Sequence, residues 1–327
     1  MNRFLAPAFG LTLATLAATS SSAAEECEGL NFVFFPGGPE GGTFASVVYN
    51  GAVMASEHTG CDVEYVWSDW NSEKMVRQFS EAVARRPDGI AVMGHPGESA
   101  LSPLIEQARE AGILVTTQNV DLPNIEAKYT ADGFGYVGSK NYSSGQNLAS
   151  GMIRECGVGA GDKVLVWGLL SMEQRGLRTR GSIEVLEEAG VDVDYLEINP
   201  DISKDASQGI PVFAAYAAAN PDLKGVVVDH GALTALVPTY MKAAGKDAGS
   251  ICMAGFDLSA ATAQGIEDGY ITMVLDQQPF LQGYLPIVQM FLSKKFGFAG
   301  MNIDTGAAMI TKTNVGPVSE LAAAAIR

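Results

Sequence analysis

Short apolar runs alternate along the chain with longer segments in which apolar residues recur every three or four positions. In the first half, the runs at residues 30–35, 63–67, 89–94 and 113–117 have the length and composition of buried strands. Met75, Phe79 and Val83 recur at helical spacing between two of them, after the capping-type residues Asn71 and Ser72. This alternation predicts strand–helix–strand units that build a parallel sheet.

A second series of the same kind follows, with strand-like runs at residues 163–167, 193–198, 225–229 and 251–256. The chain has 327 residues, about twice the usual size of one domain. We therefore predict an α/β protein of two lobes, each built on a doubly wound parallel sheet.

Candidate chemistry lies just after these runs, because ligands collect at the carboxyl ends of the strands in such sheets. The segments found there are rich in glycine, aromatic and polar residues: 37–44, 68–71, 95–98, 118–119, 168–180, 229–231 and Asp257. The glycine-rich segment 37–42 lacks the Gly-Lys-Ser/Thr ending of a phosphate loop. We interpret it as a flexible turn into a helix.

Composition excludes several function classes. The chain carries 37 Asp plus Glu against 21 Lys plus Arg, a net charge of -16, so nucleic acid is not an expected partner. Only three histidines are present and no cysteines have ligand spacing, so no metal or other cofactor is expected. His230 beside Asp229 would allow a hydrolase dyad, but no Gly-x-Ser-x-Gly or His-Glu-x-x-His motif occurs. We expect no enzyme activity.

The first 24 residues resemble a secretory signal, with Arg3 followed by an apolar stretch and small residues before a predicted cleavage site after Ala24. The apolar stretch is too short to span a bilayer, although a buried N-terminal helix is the alternative. Glu25 and Glu26 precede Cys27 where a lipid-attachment site needs small residues. We expect an exported protein in the periplasm without a membrane anchor.

Export makes disulfides possible even in a large domain. Cys27 and Cys61 each precede a strand-like run of the first series, so we expect them side by side at neighbouring strand starts. Cys156 and Cys252 precede runs of the second series in the same way. They are either a second bridge or two free, buried thiols.

Four segments in order carry a resemblance to a known family: GIAVMGHP at 89–96, RTRG at 178–181, AGFD at 254–257 and DQQP at 276–279. With these landmarks, the whole mature chain resembles the type I periplasmic solute-binding proteins of ABC importers, the group that includes the ribose-binding protein. The resemblance implies a monomer of two lobes that encloses a small sugar or polyol and hands it to the permease subunits in the membrane.

The resemblance also implies three hinge crossings, near Ser139, Gln277 and Asp304. The corresponding boundaries are a signal peptide at 1–24, an N-terminal lobe at 25–139 and 278–304, and a C-terminal lobe at 140–277 and 305–327. Where ribose binders carry an acid and an arginine after the fourth strand, this sequence has Asn119 and Val120. We therefore expect a ligand other than ribose.

Carried over position by position, the resemblance places the ligand-binding set at Phe44, His95, Asn119, Ser139, Arg178, His230, Asp257 and Gln277. The chemistry suits a polyhydroxy ligand, because carboxylate, guanidinium and amide groups bind hydroxyls in pairs, while flat apolar rings cover C–H faces. Phe44 and either Trp67 or Trp70 would supply such a ring, and Trp70, between polar residues, is the better candidate.

Several alternatives stay open at this stage. Arg178 with nearby Lys204 would also suit an anionic, phosphorylated or autoinducer-like ligand, and a chemoreceptor would be a second partner in a sensor of this fold. Arg178 could instead pair with a glutamate on a helix surface, Asp257 could only cap the following helix, and either candidate histidine could be a loop or cap residue. A transcription regulator of related fold is disfavoured by the export signal and the acidic charge.

Overall fold

The strands form two separate six-stranded sheets in the computed structural model, which describes residues 27, 29–306 and 308–327. The predicted signal segment and its cleavage site lie outside the described residues. Each sheet is covered on both faces by helices, as expected for parallel strands that are apolar on both sides.

The first sheet contains strands β1 (Asn31–Phe34), β2 (Asp62–Tyr65), β3 (Gly89–Met93), β4 (Leu114–Gln118), β5 (Gly135–Gly138) and β11 (Asn302–Asp304). Their order is β11-β5-β4-β3-β1-β2, and every pair is parallel. The covering helices are α1 (Thr43–Thr59), α2 (Ser72–Arg85), α3 (Glu98–Glu110), α4 (Pro123–Tyr129) and α12 (Pro279–Phe296), with a short 3-10 turn at Thr130–Asp132.

The second sheet contains β6 (Lys163–Gly168), β7 (Asp192–Glu197), β8 (Leu223–Val228), β9 (Cys252–Phe256), β10 (Met273–Asp276) and β12 (Ala308–Thr311). Their order is β12-β10-β9-β8-β6-β7. Its helices are α5 (Asn141–Cys156), α6 (Leu177–Glu188), α7 (Pro200–Lys204), α8 (Gly209–Ala219), α9 (Gly231–Ala235), α10 (Val237–Ala243), α11 (Ala260–Glu267) and α13 (Gly316–Ala323), with a 3-10 turn at Ala206–Gln208.

The predicted fold class is confirmed, and every strand-like run named from the sequence overlaps an observed strand. The prediction of wholly parallel sheets is wrong for β12, which pairs antiparallel with β10, Asp276 lying opposite Ala308. β11 runs toward the carboxyl edge of the first sheet, and a short link brings the chain to the carboxyl edge of the second. The chain therefore enters the second sheet from its carboxyl edge, and β12 must run antiparallel to the other strands.

Three connections join the two sheets, and they lie close together. The chain passes from β5 to α5, from β10 to α12, and from β11 to β12. At the third connection Gly306 packs so closely on the first that an added Cβ would overlap the Cβ of Ser139. The residue boundaries that the sequence suggested for the two lobes stay a prediction.

Helix α1 of the first sheet packs closely on α12, the helix that follows the second connection between the sheets. Helix α12 crosses α1 at two glycines, and a Cβ on Gly283 would overlap the carbonyl oxygen of Val48. A Cβ on Gly51 would likewise overlap the carbonyl oxygen of Phe280. Glycine is therefore needed at both positions for the two backbones to come this close.

The described residues contain two disulfides. Cys27 is bonded to Cys61, and Cys156 is bonded to Cys252, so the second pair is not two free thiols. Among the described residues, no helix has both the length and the apolar character needed to cross a bilayer.

Candidate functional site

A cavity with about 470 Å³ of empty space, part of it open to solvent, lies where the carboxyl ends of the two sheets face each other. The segments of the first sheet contribute Phe44, Trp70, His95 and Asn119. Those of the second contribute Leu169, Met172, Arg175, Arg178, Ser203, His230, Gly231, Asp257 and Gln277.

The structure therefore brings together every residue of the predicted ligand set except Ser139. That serine is fully buried behind the cavity, where its hydroxyl donates to Gln277 Oε1 at 3.3 Å. Lys204, which the anionic alternative used, is exposed and does not line the cavity. Whether the lining residues bind a ligand stays a prediction.

Aromatic rings form one wall of the cavity. The ring centroids of Phe44 and Trp70 are 5.8 Å apart, and those of Trp70 and His95 are 5.2 Å apart. Trp70 has a left-handed backbone, with φ of 57°, in the turn before α2. Trp67, the alternative ring, does not line the cavity, and its centroid lies 5.4 Å from that of Tyr49.

Asp229 holds two arginines at the opposite wall. Its carboxylate accepts hydrogen bonds from Arg175 Nη1 at 2.9 Å and from Arg178 Nε and Thr179 Oγ1, while its main-chain oxygen accepts from Nη2 of both arginines. Asp229, Arg175 and Arg178 are each at most 3% exposed. Burial opposes ionisation of Asp229, but the two arginines outweigh it and lower the pKa of this carboxyl. The surface pairing considered for Arg178 from the sequence is therefore wrong.

Burial and the same two arginines keep both cavity histidines neutral. Burial, together with the positive charges of Arg175 and Arg178, lowers the pKa of His230 to about 3 and holds that of His95 well below its usual range. His230 Nδ1 accepts a hydrogen bond from the backbone of Ala232, so His230 caps α9 as well as lining the cavity. The cap of α3 is Gly97 rather than His95.

Asp257 occupies a strained position directly after β9. Its φ is 72°, in the left-handed region that aspartate tolerates better than most residues. Burial raises the pKa of this carboxyl to about 6, although Arg178 opposes the shift. Helix α11 is capped by Ser259, so capping does not explain Asp257.

An amide network joins the cavity to the connections between the sheets. Asn119 Nδ2 donates to Gln277 Oε1 and to Gln282 Oε1, both at 3.0 Å, and Gln277 Nε2 donates to Asp257 Oδ1 at 2.7 Å. Asn119, like Asp257, has a left-handed backbone, with φ of 65°. The network thus links Asn119, after a strand of the first sheet, to Asp257, after a strand of the second, through Gln277.

Two buried donors or acceptors at the cavity have no hydrogen-bond partner among the described residues: Arg178 Nη1 and His95 Nδ1. Buried polar groups without a partner are costly. A ligand that bonds to them would remove that cost.

Sequence reasoning missed Arg175, Asp229 and Gln282. Arg175 lies three residues before Arg178, within the segment that follows β6, and that spacing is the signal that could have found it. Asp229 was considered only as the partner of His230 in an enzyme. Nothing in the sequence pattern marks Gln282, which lies behind the cavity.

Solved structures of sugar-binding proteins share this fold. A carbohydrate transporter from Acidothermus cellulolyticus in complex with myo-inositol superposes with a TM-score of 0.77 at 24% identity, covering 91% of this chain and 99% of that one. A solute-binding protein from Burkholderia graminis in complex with D-arabinose also gives 0.77, at 22% identity, covering 89% and 98%. At these identities the likeness shows the fold.

The curated relatives match this chain over only part of their own length. The xylose/arabinose-binding protein of Sulfolobus acidocaldarius is 27% identical over 270 residues, 78% of this chain and 65% of that protein. The D-apiose import binding protein of Actinobacillus succinogenes is 24% identical over 212 residues, 64% of each chain. The chain thus spans a little under two thirds of the length of these relatives.

The family model described as a periplasmic binding protein domain matches residues 32–293, which include most strands of both sheets and all the cavity-lining residues. This match covers well over half of the chain. The chain therefore belongs to the periplasmic binding protein family.

Proposed function

We propose that this protein is the substrate-binding protein of an ABC importer, which captures a small neutral sugar or polyol in the periplasm and delivers it to the permease. The observation that carries the proposal is the cavity between the two sheets. Arg178, Asp257 and Asn119 offer donors and acceptors there, and the rings of Phe44 and Trp70 offer a flat wall. Sugars and polyols need both kinds of surface.

The relatives support the same class of ligand. One curated relative is named for xylose and arabinose and another for apiose, while structures of this fold contain myo-inositol and D-arabinose. The match to a periplasmic binding family also supports the periplasm as the location and a permease as the partner.

Charge balance in the site favours a neutral ligand. Arg175, Arg178 and Asp257 line the cavity, and Asp229 is buried against the two arginines, so two positive charges are balanced by two carboxylates at neutral pH. Lys204, which would add a positive charge, lies outside the cavity. An anionic ligand would leave the site with an uncompensated charge.

The arrangement also supports binding without catalysis. Asp229 is committed to two arginines and Thr179, and His230 Nδ1 accepts from a backbone N–H. The Asp229–His230 dyad that the sequence would allow is therefore not formed. Ser203 lines the cavity but has no described histidine as a hydrogen-bond partner.

We propose a two-state clamp as the mechanism, with lobes divided at the boundaries suggested by the sequence. A ligand that contacts Asn119 in one lobe and Asp257 in the other stabilises the closed form by contacts that the open form lacks. The carboxylate of Glu173 already lies against Gly97 across the cleft, where an added Cβ would be 2.7 Å from Oε2. Closure therefore brings the lobes into direct contact beside the ligand.

The test is a thermal-shift and calorimetric screen of the protein from Glu25 onward against neutral monosaccharides, polyols, cyclitols, sugar acids, sugar phosphates and amino acids. A ligand in large excess over its Kd raises the melting temperature, and Trp70 fluorescence should report the same binding. We expect hits among neutral sugars or polyols, and a loss of roughly 10-fold or more in affinity for Asp257→Ala and Asn119→Ala.

Asp132→Ala is the matched control, because Asp132 is an exposed carboxylate paired with Arg109 away from the cavity. It should leave affinity unchanged. Hits confined to anions would replace the neutral ligand by an anionic one. Unchanged affinity in both cavity variants, or no hit in the whole panel, would contradict the proposal.

A further inference from the structure

Gln282 is a fully buried amide on the first turn of α12 that does not line the cavity. It nevertheless contacts two of the connections between the sheets and two cavity residues, Gln277 and Asn119. Its Nε2 donates to the main-chain oxygen of Gln277 at 3.0 Å and to Thr305 Oγ1 at 3.1 Å, and its Oε1 accepts from Asn119 Nδ2 at 3.0 Å.

The orientation of this amide is dictated by a group that can only accept. A main-chain carbonyl oxygen has no proton to donate, so the nitrogen of Gln282 must face Gln277 O. The oxygen of Gln282 must then face Asn119. A reversed amide would place two oxygens against each other at a fully buried position.

Asn119 inherits its orientation from Gln282. Its Nδ2 has two protons, and the two oxygens Gln282 Oε1 and Gln277 Oε1 accept both. Asn119 Oδ1 has no donor among the described residues and belongs to a residue that lines the cavity. Asn119 therefore offers a ligand an acceptor and no donor.

The same series of hydrogen bonds determines which oxygen of Asp257 is left to accept from a ligand. Because Gln277 Oε1 accepts from Asn119, Gln277 Nε2 faces Asp257 and donates to Oδ1 at 2.7 Å. Asp257 Oδ2 accepts no hydrogen bond from the described residues. The part of the lining built from Asn119 and Asp257, here called the acceptor wall, thus presents two oxygens to the ligand.

We propose that Gln282 is a positioning residue that fixes the acceptor wall, so that the ligand must present free hydroxyl groups to both Asn119 Oδ1 and Asp257 Oδ2. This inference rests on the proposed function and deepens it by naming a feature of the substrate. A ligand with a fluorine, an ether oxygen or a carboxylate at either position is rejected, because two acceptors then face each other without a proton. Arg178 supplies the opposite chemistry, since its uncommitted Nη1 can only donate.

The experiment compares Gln282→Met with Gln289→Met at pH 7.5. Gln289 is an equally buried glutamine on the same helix, but it bonds to Thr116 and Met301 rather than to the acceptor wall. The probes are D-xylose, L-arabinose, D-galactose and myo-inositol, each with its monodeoxyfluoro analogues, in which fluorine accepts but cannot donate. Calorimetry gives the ratio of Kd for each analogue to Kd for its parent.

In the wild type we expect two ring positions at which fluorine weakens binding roughly 10- to 100-fold. Gln282→Met leaves the Asn119 amide held by Gln277 Oε1 alone, so the amide can turn more easily and donate, and the penalty at one of these positions should fall about five-fold or more. Gln289→Met should keep both penalties while losing similar thermal stability. Fluorine tolerated at every position in the wild type, or equal fluorine penalties in both variants, would overturn the proposal.

A second measurement does not depend on any ligand. In ¹⁵N-labelled protein, both side-chain amide protons of Asn119 should be protected from hydrogen exchange in the wild type and in Gln289→Met, and the proton that Gln282 Oε1 accepts should lose its protection in Gln282→Met. Absence of protection in the wild type would refute the fixed amide. Protection without binding of any probe would instead refute the proposed function and leave the orientation of Asn119 supported.

Discussion

The pairing of Asp229 with two buried arginines predicts that Asp229→Asn is among the most destabilising isosteric changes in this protein. The substitution keeps the shape and one acceptor oxygen, but it removes the charge that balances Arg175 and Arg178. The main-chain oxygen of residue 229 still accepts from both guanidinium groups. The loss is therefore confined to the bonds that the carboxylate makes.

Its magnitude follows from burial. The hydrogen bonds from the two arginines to the carboxylate are lost or weakened, each contributing about 1.5–3 kcal/mol, and breaking a buried ion pair typically costs about 3–5 kcal/mol. Asp229 is 1% exposed, so water can compensate little for the lost hydrogen bonds and charge. We expect unfolding free energy to fall by about 3–5 kcal/mol and the melting temperature by roughly 10 °C.

Urea and thermal unfolding at pH 7 measure this loss, with Asp132→Asn as the control. Asp132 is an exposed partner of Arg109, and its substitution should cost at most about 1 kcal/mol. Because the pKa of Asp229 is lowered in the folded protein, its stabilisation is present above about pH 4 and is lost as the pH falls further toward the folded value. The difference between wild type and Asp229→Asn should therefore shrink at pH 3. A loss equal to that of the control at pH 7 would refute the reasoning.

Three further predictions concern other parts of the molecule. Asp257→Asn should stabilise the ligand-free protein at pH 7 by up to about 3 kcal/mol, because the raised pKa means that ionising this buried carboxyl above pH 6 lowers the free energy of unfolding. Equal stability of the variant and the wild type in urea at pH 7 would contradict this. Removing the Cys156 disulfide, which closes a separation of 96 residues, should cost about 1 kcal/mol more than removing the Cys27 disulfide, which closes 34, as measured by urea unfolding of the paired alanine variants. Gly283→Ala should lower the melting temperature by several degrees, about 1–3 kcal/mol, because its Cβ would overlap Val48; an unchanged melt would show that α12 can move aside.

Local pattern was enough for the strands that end at the cavity. The runs ending near Phe35, Met93 and Phe256 are buried on both faces, and such runs are apolar throughout, so hydropathy alone locates them. Strands β5 and β10 escaped prediction, and each leads directly into a connection between the sheets. Their pairing partners, rather than their composition, make them strands.

The sequence by itself determined the two-sheet architecture and the loops in which the cavity residues lie, because strand length, period and the residues after each strand are local properties of the chain. Only the tertiary structure decided which side chains meet. Arg175 and Asp229 are 54 positions apart and Asn119 and Gln282 are 163 apart, and no local preference couples residues at such distances. The direction of β12 was decided in the same way, by the edge from which the chain enters the second sheet. Hydrogen-bond partners and burial exist only after the elements have packed, so the charge state of Asp257 and the orientation of Asn119 are properties of the fold.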